Sequence, residues 1–181
     1  MSEFAKMLVE NDCVITEGSK SLSGGGNTEI YVDLRRSMGD PLLYACIRAE
    51  MISLLTEVGS TFDSIAGSGT AAVMAFDIAM RLARPFSFVR QNTKSHGTMM
   101  KVEGYVGPES RVLVIDDVLT TGNTVLWMAN HLEALHMKVV AALVSVDRRT
   151  GMRRSLDDRI QVVSACTMDD ILTEMATCRP A

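Results

Sequence analysis

Apolar and polar positions change their period along this chain, and the changes mark its elements. The run Val112, Leu113, Val114, Ile115 has no polar alternation, the pattern of a parallel strand covered on both faces. Residues 62–66, 85–90, 139–146 and 160–165 also read as strands, and 101–106 as a returning strand. Between them, residues 71–82 form an almost wholly apolar helix, and a second helix runs from the turn after the 112–115 strand to about residue 136. Strands joined by helices predict a parallel sheet with right-handed crossovers. Upstream, Ser2 caps a helix to about Asn11 that places Phe4, Met7 and Leu8 on one side. Residues 16–28, TEGSKSLSGGGNT, are rich in Gly and Ser and predict an irregular loop. Residues 29–34 read as a strand, and Asp40-Pro41 caps a buried helix over 42–58. Thr167 with Asp170 makes a capping box for a last helix to about Thr177.

Composition narrows the class. A chain of 181 residues with no repeat and no internal boundary reads as one domain over 1–181. Its 18 basic and 22 acidic residues give a formal charge of −4, so no general electrostatic case exists for nucleic acid and any anion site must be local. No apolar run approaches the ~20 residues needed to span a bilayer, so no membrane partner is expected. Cys13, Cys46, Cys166 and Cys178 form no CxxC and no short Cys/His pair, which predicts reduced structural thiols, no protein-held metal and a cytoplasmic location. His131 and His136 lie five apart, unlike same-face metal ligands, and Trp127 reads as core.

Chemistry concentrates in RVLVIDDVLTTGNTVLW, residues 111–127. Asp116 and Asp117 stand at the carboxyl end of a strand, where open α/β sheets place ligands. Val118 and Leu119 lead into Thr120, Thr121, Gly122, Asn123 and Thr124, which offer hydroxyls, amides and permissive backbone before a helix N-terminus whose free N–H groups attract an anion. An acid pair beside a phosphate pocket implies a partner with cis hydroxyls, a divalent cation or a developing positive charge. A phosphorylated ribose combines them. Arg90, Lys94 and His96 follow a strand within seven residues and read as a cationic lid able to neutralise a leaving group and exclude water. The loop Gly67, Ser68, Gly69, Thr70 either grips an anion with its backbone or serves close packing. In Asp147-Arg148-Arg149, at the same sheet edge, an Arg can hold a carboxylate through a bidentate fork.

These segments resemble one family in order. The 111–127 segment resembles the phosphoribosyl pyrophosphate (PRPP) signature of type I phosphoribosyltransferases. FVR followed by K-x-H-G at 88–97 resembles the catalytic loop of orotate phosphoribosyltransferases, as does Val146-Asp147-Arg148. SGGGNTEIYVDLRR at 23–36 resembles that family's hood, with Tyr31, Asp33, Arg35 and Arg36 in register. The resemblance implies an α/β type I phosphoribosyltransferase fold, a central parallel sheet flanked by helices with a small N-terminal hood over about residues 1–36. It implies Mg²⁺-dependent transfer of phosphoribose from PRPP to orotate, giving orotidine 5′-phosphate and pyrophosphate in pyrimidine biosynthesis. By the same resemblance Asp116 and Asp117 contact the ribose, residues 118–124 bind PRPP with the turn holding its phosphate, and the Gly67–Thr70 loop takes pyrophosphate. Arg90, Lys94 and His96 are PRPP ligands, with Lys94 the main catalytic cation, while Thr120 and Arg148 hold the base. Mg²⁺ is held mainly through PRPP, and a homodimer shares the lid across subunits. The chain departs from the pattern at Gln91, where a second lysine is usual, at Gly25 or Gly26 in place of a base-contacting lysine, at Glu29 in place of proline, and at Ala72-Val73-Met74 in place of Gly-Ile-Pro. Lys20 is the candidate to reach into the pocket from its loop. Two other readings stay open: a phosphoribosyltransferase for a purine or another pyrimidine, and a PRPP-sensing regulator without catalysis.

Overall fold

The computed structural model describes residues 2–16, 20–21, 27–59, 61–91, 100–105, 107–149, 156 and 158–178. Its two longest strands, β8 (Arg111–Leu119) and β9 (Lys138–Asp147), pair in parallel. The full sheet adds β10 (Gln161–Thr167) outside β9, and β5 (Ser64–Ser68), β6 (Phe86–Val89) and β7 (Val102–Gly104) on the other side, in the order β10-β9-β8-β5-β6-β7. All pairs are parallel except β6 with β7, so the predicted parallel sheet carries one antiparallel edge strand.

Strand alternation explains why the central runs are continuously apolar. Leu113, Ile115, Ala141 and Leu143 pack on one face with α1 (Glu3–Glu10), α2 (Pro41–Ser53), α3 (Ala71–Arg81) and α5 (Met168–Cys178). Val112, Val114, Ala142 and Val144 pack on the other with α4 (Asn123–Glu133), Leu156 and Ile160. Each fully buried branched side chain contributes on the order of 1.5–3 kcal/mol, and because both faces are covered, apolar residues occupy most positions of the central strands. Among the described residues no helix is long and apolar enough to cross a membrane.

Several predicted boundaries move. The strand expected at 112–115 continues to Leu119, because Asp116 pairs with Val144, Val118 with Val146 and Leu119 with Asp147 on β9, and ladder pairing outweighs the polarity of the two acids. The strand expected at 62–66 is Ser64–Ser68, so Gly67 and Ser68 belong to it and only Gly69 and Thr70 form the turn. Its start is delayed because Asp63 is held by Arg111, with Arg111 N donating to Asp63 Oδ2 at 2.9 Å. The predicted helix over 42–58 is α helix from Pro41 to Ser53 and 3-10 helix from Leu54 to Glu57. Asp40 Oδ1 caps it, accepting from Leu42 N at 2.9 Å and Leu43 N at 3.1 Å. The capping box at the last helix is formed, with Thr167 N donating to Asp170 Oδ2 at 2.7 Å and Asp170 N to Thr167 Oγ1 at 3.2 Å.

In the hood, α1 is capped by Ser2 as predicted. β1 (Val14–Ile15) pairs antiparallel with β4 (Tyr31–Val32). The strand predicted over 29–34 is this short because Asp33 caps a 3-10 turn at Leu34–Gly39. Residues 16–28, expected as irregular, contain the antiparallel pair β2 (Lys20–Ser21) with β3 (Asn27–Thr28). Gly25 and Gly26 lie outside the described residues.

Gly67 shows how tightly the sheet seats α3. A Cβ at this position would come within 2.7 Å of Ala75 Cβ and 3.0 Å of Ala72 Cα. Gly67→Ala should therefore destabilise the fold by roughly 1–3 kcal/mol, read as a lower urea midpoint with an unchanged m-value. An unshifted midpoint would show that α3 gives way freely.

Candidate functional site

A cavity of about 400 Å³ opens between the hood and the carboxyl ends of the strands. It is lined by Ser68, Gly69 and Thr70 after β5, by residues 116–124 at the end of β8, and by Arg148 after β9. Three sequence segments predicted to act together thus meet at one sheet edge. Tyr31, Val32, Asp33 and Arg35 of the hood close the opposite side, with Gln91 at the mouth.

The anion cradle is built from backbone. Gly122 has φ of +81°, which a glycine adopts without strain, and it starts α4 with no side chain capping the helix. Beyond Asn123, the N–H groups of the first turn of α4 are thereby left for a ligand. Asn123 N reaches Thr121 Oγ1 at 3.3 Å, holding the turn together. Leu156, only 2% exposed, buttresses the turn from behind, since a Cβ on Gly122 would lie 2.9 Å from its Cδ2. A lone leucine in a polar stretch carried no sequence signal for that role.

The acid pair sits on the strand itself. Asp116 is buried, and Asp117 N donates to its Oδ1 at 3.1 Å. Val118 N donates to Asp117 Oδ1 at 2.8 Å. Burial pushes the Asp116 carboxyl up from 3.8 to about 8, and repulsion from Asp117 adds to it. Next door, Ser68 is 3% exposed and its hydroxyl has no hydrogen-bond partner among the described residues. Gly67, by contrast, is absent from the cavity wall and serves packing against α3.

The two adjacent arginines after β9 have different fates. Arg149 is locked in a fork to Asp147, at 2.9 Å from Nε and 2.7 Å from Nη2. Arg148 turns to the cavity, its Nη2 donating to the hood carbonyl of Ile30 at 2.9 Å. Burial pulls the Arg148 guanidinium below its ordinary value. Arg90 does not line the cavity. It pairs with Glu103 across the β6–β7 hairpin, over the ring of Phe88. Lys94 and His96 lie outside the described residues.

Tyr31, Asp33 and Arg35 line the cavity although sequence pattern alone does not put them on one face: Tyr31 is on a strand, Asp33 caps the 3-10 turn and Arg35 lies within it.

Comparison with known proteins gives a consistent result. The model of the phosphoribosyl transferase domain matches residues 53–175. The chain is 34% identical over 177 residues to the orotate phosphoribosyltransferase of Aeropyrum pernix, covering 94% of this chain and 92% of that one. The crystal structure of orotate phosphoribosyltransferase from Aeropyrum pernix superposes with a TM-score of 0.81 at 30% identity, covering 97% and 99% of the two chains. Leishmania donovani UMP synthase superposes at 0.83 with 28% identity, over 97% of this chain and 38% of that longer one.

The raised Asp116 predicts a pH signature. Because the folded state holds its proton more tightly than the unfolded state does, the stabilisation is fully present below about 3.8 and is lost as pH rises through about 8. Asp116→Asn should be more stable than the native chain at pH above 8 by more than about 1.4 kcal/mol, with the gap shrinking as pH falls toward 4. Denaturant titrations across that range check it, and a pH-independent gap would contradict the burial argument.

Proposed function

The chain belongs to the phosphoribosyl transferase family, and from that membership we propose that it transfers phosphoribose from PRPP to orotate, yielding orotidine 5′-phosphate and pyrophosphate. Its fold is the type I phosphoribosyltransferase fold, a central sheet flanked by helices beneath an N-terminal hood over about residues 1–36. We read residues 1–181 as one such domain. The observation that carries the reading is the meeting in one cavity of the Asp116-Asp117 pair, a helix start with no side-chain cap and Arg148.

The turn from Thr120 to Thr124 holds the 5′-phosphate, and Asp116 and Asp117 engage the ribose hydroxyls. When the bond from the anomeric carbon to pyrophosphate breaks, positive charge develops on the sugar, and the acid pair fixed beside it lowers that barrier, Asp117 as the charged partner and the buried Asp116 as a hydrogen-bonding one. Both reactants are bound in one cavity, so the base nitrogen meets the sugar without a bimolecular search. Ser68, Gly69 and Thr70 take the pyrophosphate together with Lys94 and His96. Arg90 joins them once its ion pair with Glu103 opens. Arg148 and Thr120 hold the base, Arg148 offering a guanidinium to its carboxylate.

The residues present fit a Mg²⁺ that arrives on PRPP. Among the described residues no cluster of three acidic, His or Cys side chains could cage an ion, while Mg²⁺ favours one or two carboxylates plus substrate phosphates. When bound it supplies charge neutralisation for the leaving group. A homodimer is part of the proposal. It is supported by an exposed apolar stripe of Val73, Phe76 and Met80 along α3, and by Leu42 of α2, which is 80% exposed. A cytoplasmic location is supported by the free thiols of Cys13, Cys46 and Cys166.

With PRPP and Mg²⁺, the protein should convert orotate to orotidine 5′-phosphate and leave adenine, hypoxanthine and uracil unused. Product from one of those bases and none from orotate would reassign the base. Lys94→Ala should lower turnover by well over ~10-fold with an unchanged circular dichroism spectrum, and full activity in that variant would remove Lys94 from the chemistry.

A further inference from the structure

Arg35 enters the cavity from the hood, at the wall it shares with Thr70, Asp116 and Asp117. Asp33 grips it in a fork, Nε to Oδ1 at 2.7 Å and Nη2 to Oδ2 at 3.2 Å. Nη2 also reaches the Tyr31 hydroxyl at 3.3 Å. Asp33 accepts from the backbone N of Arg35 as well, at 3.2 Å, so the carboxylate is anchored by the turn that it caps. The guanidinium is therefore aimed before any ligand arrives, and little ordering remains to oppose binding. Half of the side chain, 51%, stays exposed, and Nη1 donates to none of the described residues.

Charge balance gives this arginine a task. Among the described residues the cavity wall carries the carboxyl groups of Asp33, Asp116 and Asp117, of which the buried Asp116 keeps its proton up to about 8, against the guanidiniums of Arg35 and Arg148. Such a wall is poorly matched to a polyanion unless its cations face the phosphates. Arg148 is tied to Ile30 on the base side of the cavity. Arg35 stands on the other side, beside the turn at Gly69 and Thr70 where α3 begins. Arg35 lines the main cavity together with the Thr120–Thr124 cradle, and it also borders, with Thr70, Ala71 and Met74, a small hollow that residues 120–124 do not line. The anion nearest to it is therefore the one bound at the β5 turn.

We propose that Arg35 is a ligand of the pyrophosphate group of the phosphoribosyl donor, oriented by Asp33 and Tyr31. The assignment rests on the reading of this cavity as a PRPP site. Arg35 supplies from the hood a cation on the pyrophosphate side at a site where Gln91, in the mouth of the same cavity, brings no charge. The fork with Asp33 serves the empty site: it compensates the guanidinium until phosphate oxygens reach Nη1. A lysine could keep the charge but could not satisfy Asp33 and a phosphate with fixed, divergent donors.

Calorimetric titration of the full chain with inorganic pyrophosphate plus Mg²⁺, and separately with ribose 5-phosphate, tests it. Arg35→Ala should lose about 10-fold or more in pyrophosphate affinity while ribose 5-phosphate stays within ~2-fold, and Arg35→Lys should recover part of the loss. Arg35→Met, which keeps the apolar stem, is the parallel variant that guards against a collapsed hood. Equal losses for both ligands, no loss for pyrophosphate, or no pyrophosphate binding by the native chain overturns the proposal. Arg35-dependent pyrophosphate binding in a protein that leaves orotate unused would sustain it while removing only the choice of base.

Discussion

The pairing of β8 with β9 as far as Leu119 governs the rest of the site. Had β8 left the sheet after Ile115, Asp116 and Asp117 would sit on a solvated loop with ordinary proton affinities and no fixed direction. Held in the ladder instead, Asp116 is desolvated between neighbouring strands. The turn that follows is short and starts a helix directly. The same pairing places the next contact, since Arg148 N donates to Leu119 O at 2.8 Å and so sets where the Arg148 side chain leaves the sheet. Acid pair, anion cradle and arginine are thus three consequences of one run of backbone hydrogen bonds.

The hood is joined to that edge by polar contacts. Arg148 reaches the Ile30 carbonyl, and Arg36 Nη1 donates to Asp12 O at 2.7 Å, tying the 3-10 turn to the end of α1. The short ladder between β1 and β4 holds Tyr31 and Val32 over the cavity. Backbone carbonyls accept both of the arginine bonds, so the described part of the hood is tied down at main-chain positions.

Legibility from sequence followed the physics of each signal. The β8 run, the apolar α3 and the Thr167–Asp170 box could be read because period and capping are local properties. The 3-10 segment after α2 and the two-residue strands of the hood could not, because both depend on what packs against them. Gly67 illustrates the ambiguity of glycine: the residue type announces a close approach, and only α3 shows that the approach is packing and not ligand. Leu156 was silent for the opposite reason, as a lone apolar residue has no period to read.

By itself the sequence determined the order of strands and helices, the acid pair, the anion-binding turn and the family resemblance, because each lies within a few consecutive residues. Tertiary structure alone decided which charges face the cavity. Of two adjacent arginines, Asp147 captures Arg149 and Arg148 is left to the site. Arg90, itself predicted as a lid cation four residues before Lys94, is paired instead with Glu103 from a different strand. Arg35 enters from a turn some eighty residues before the acids that it faces. Ion pairs and burial act through space at distances of a few ångströms, and the chain order that a sequence records says nothing about which carboxylate reaches which arginine first.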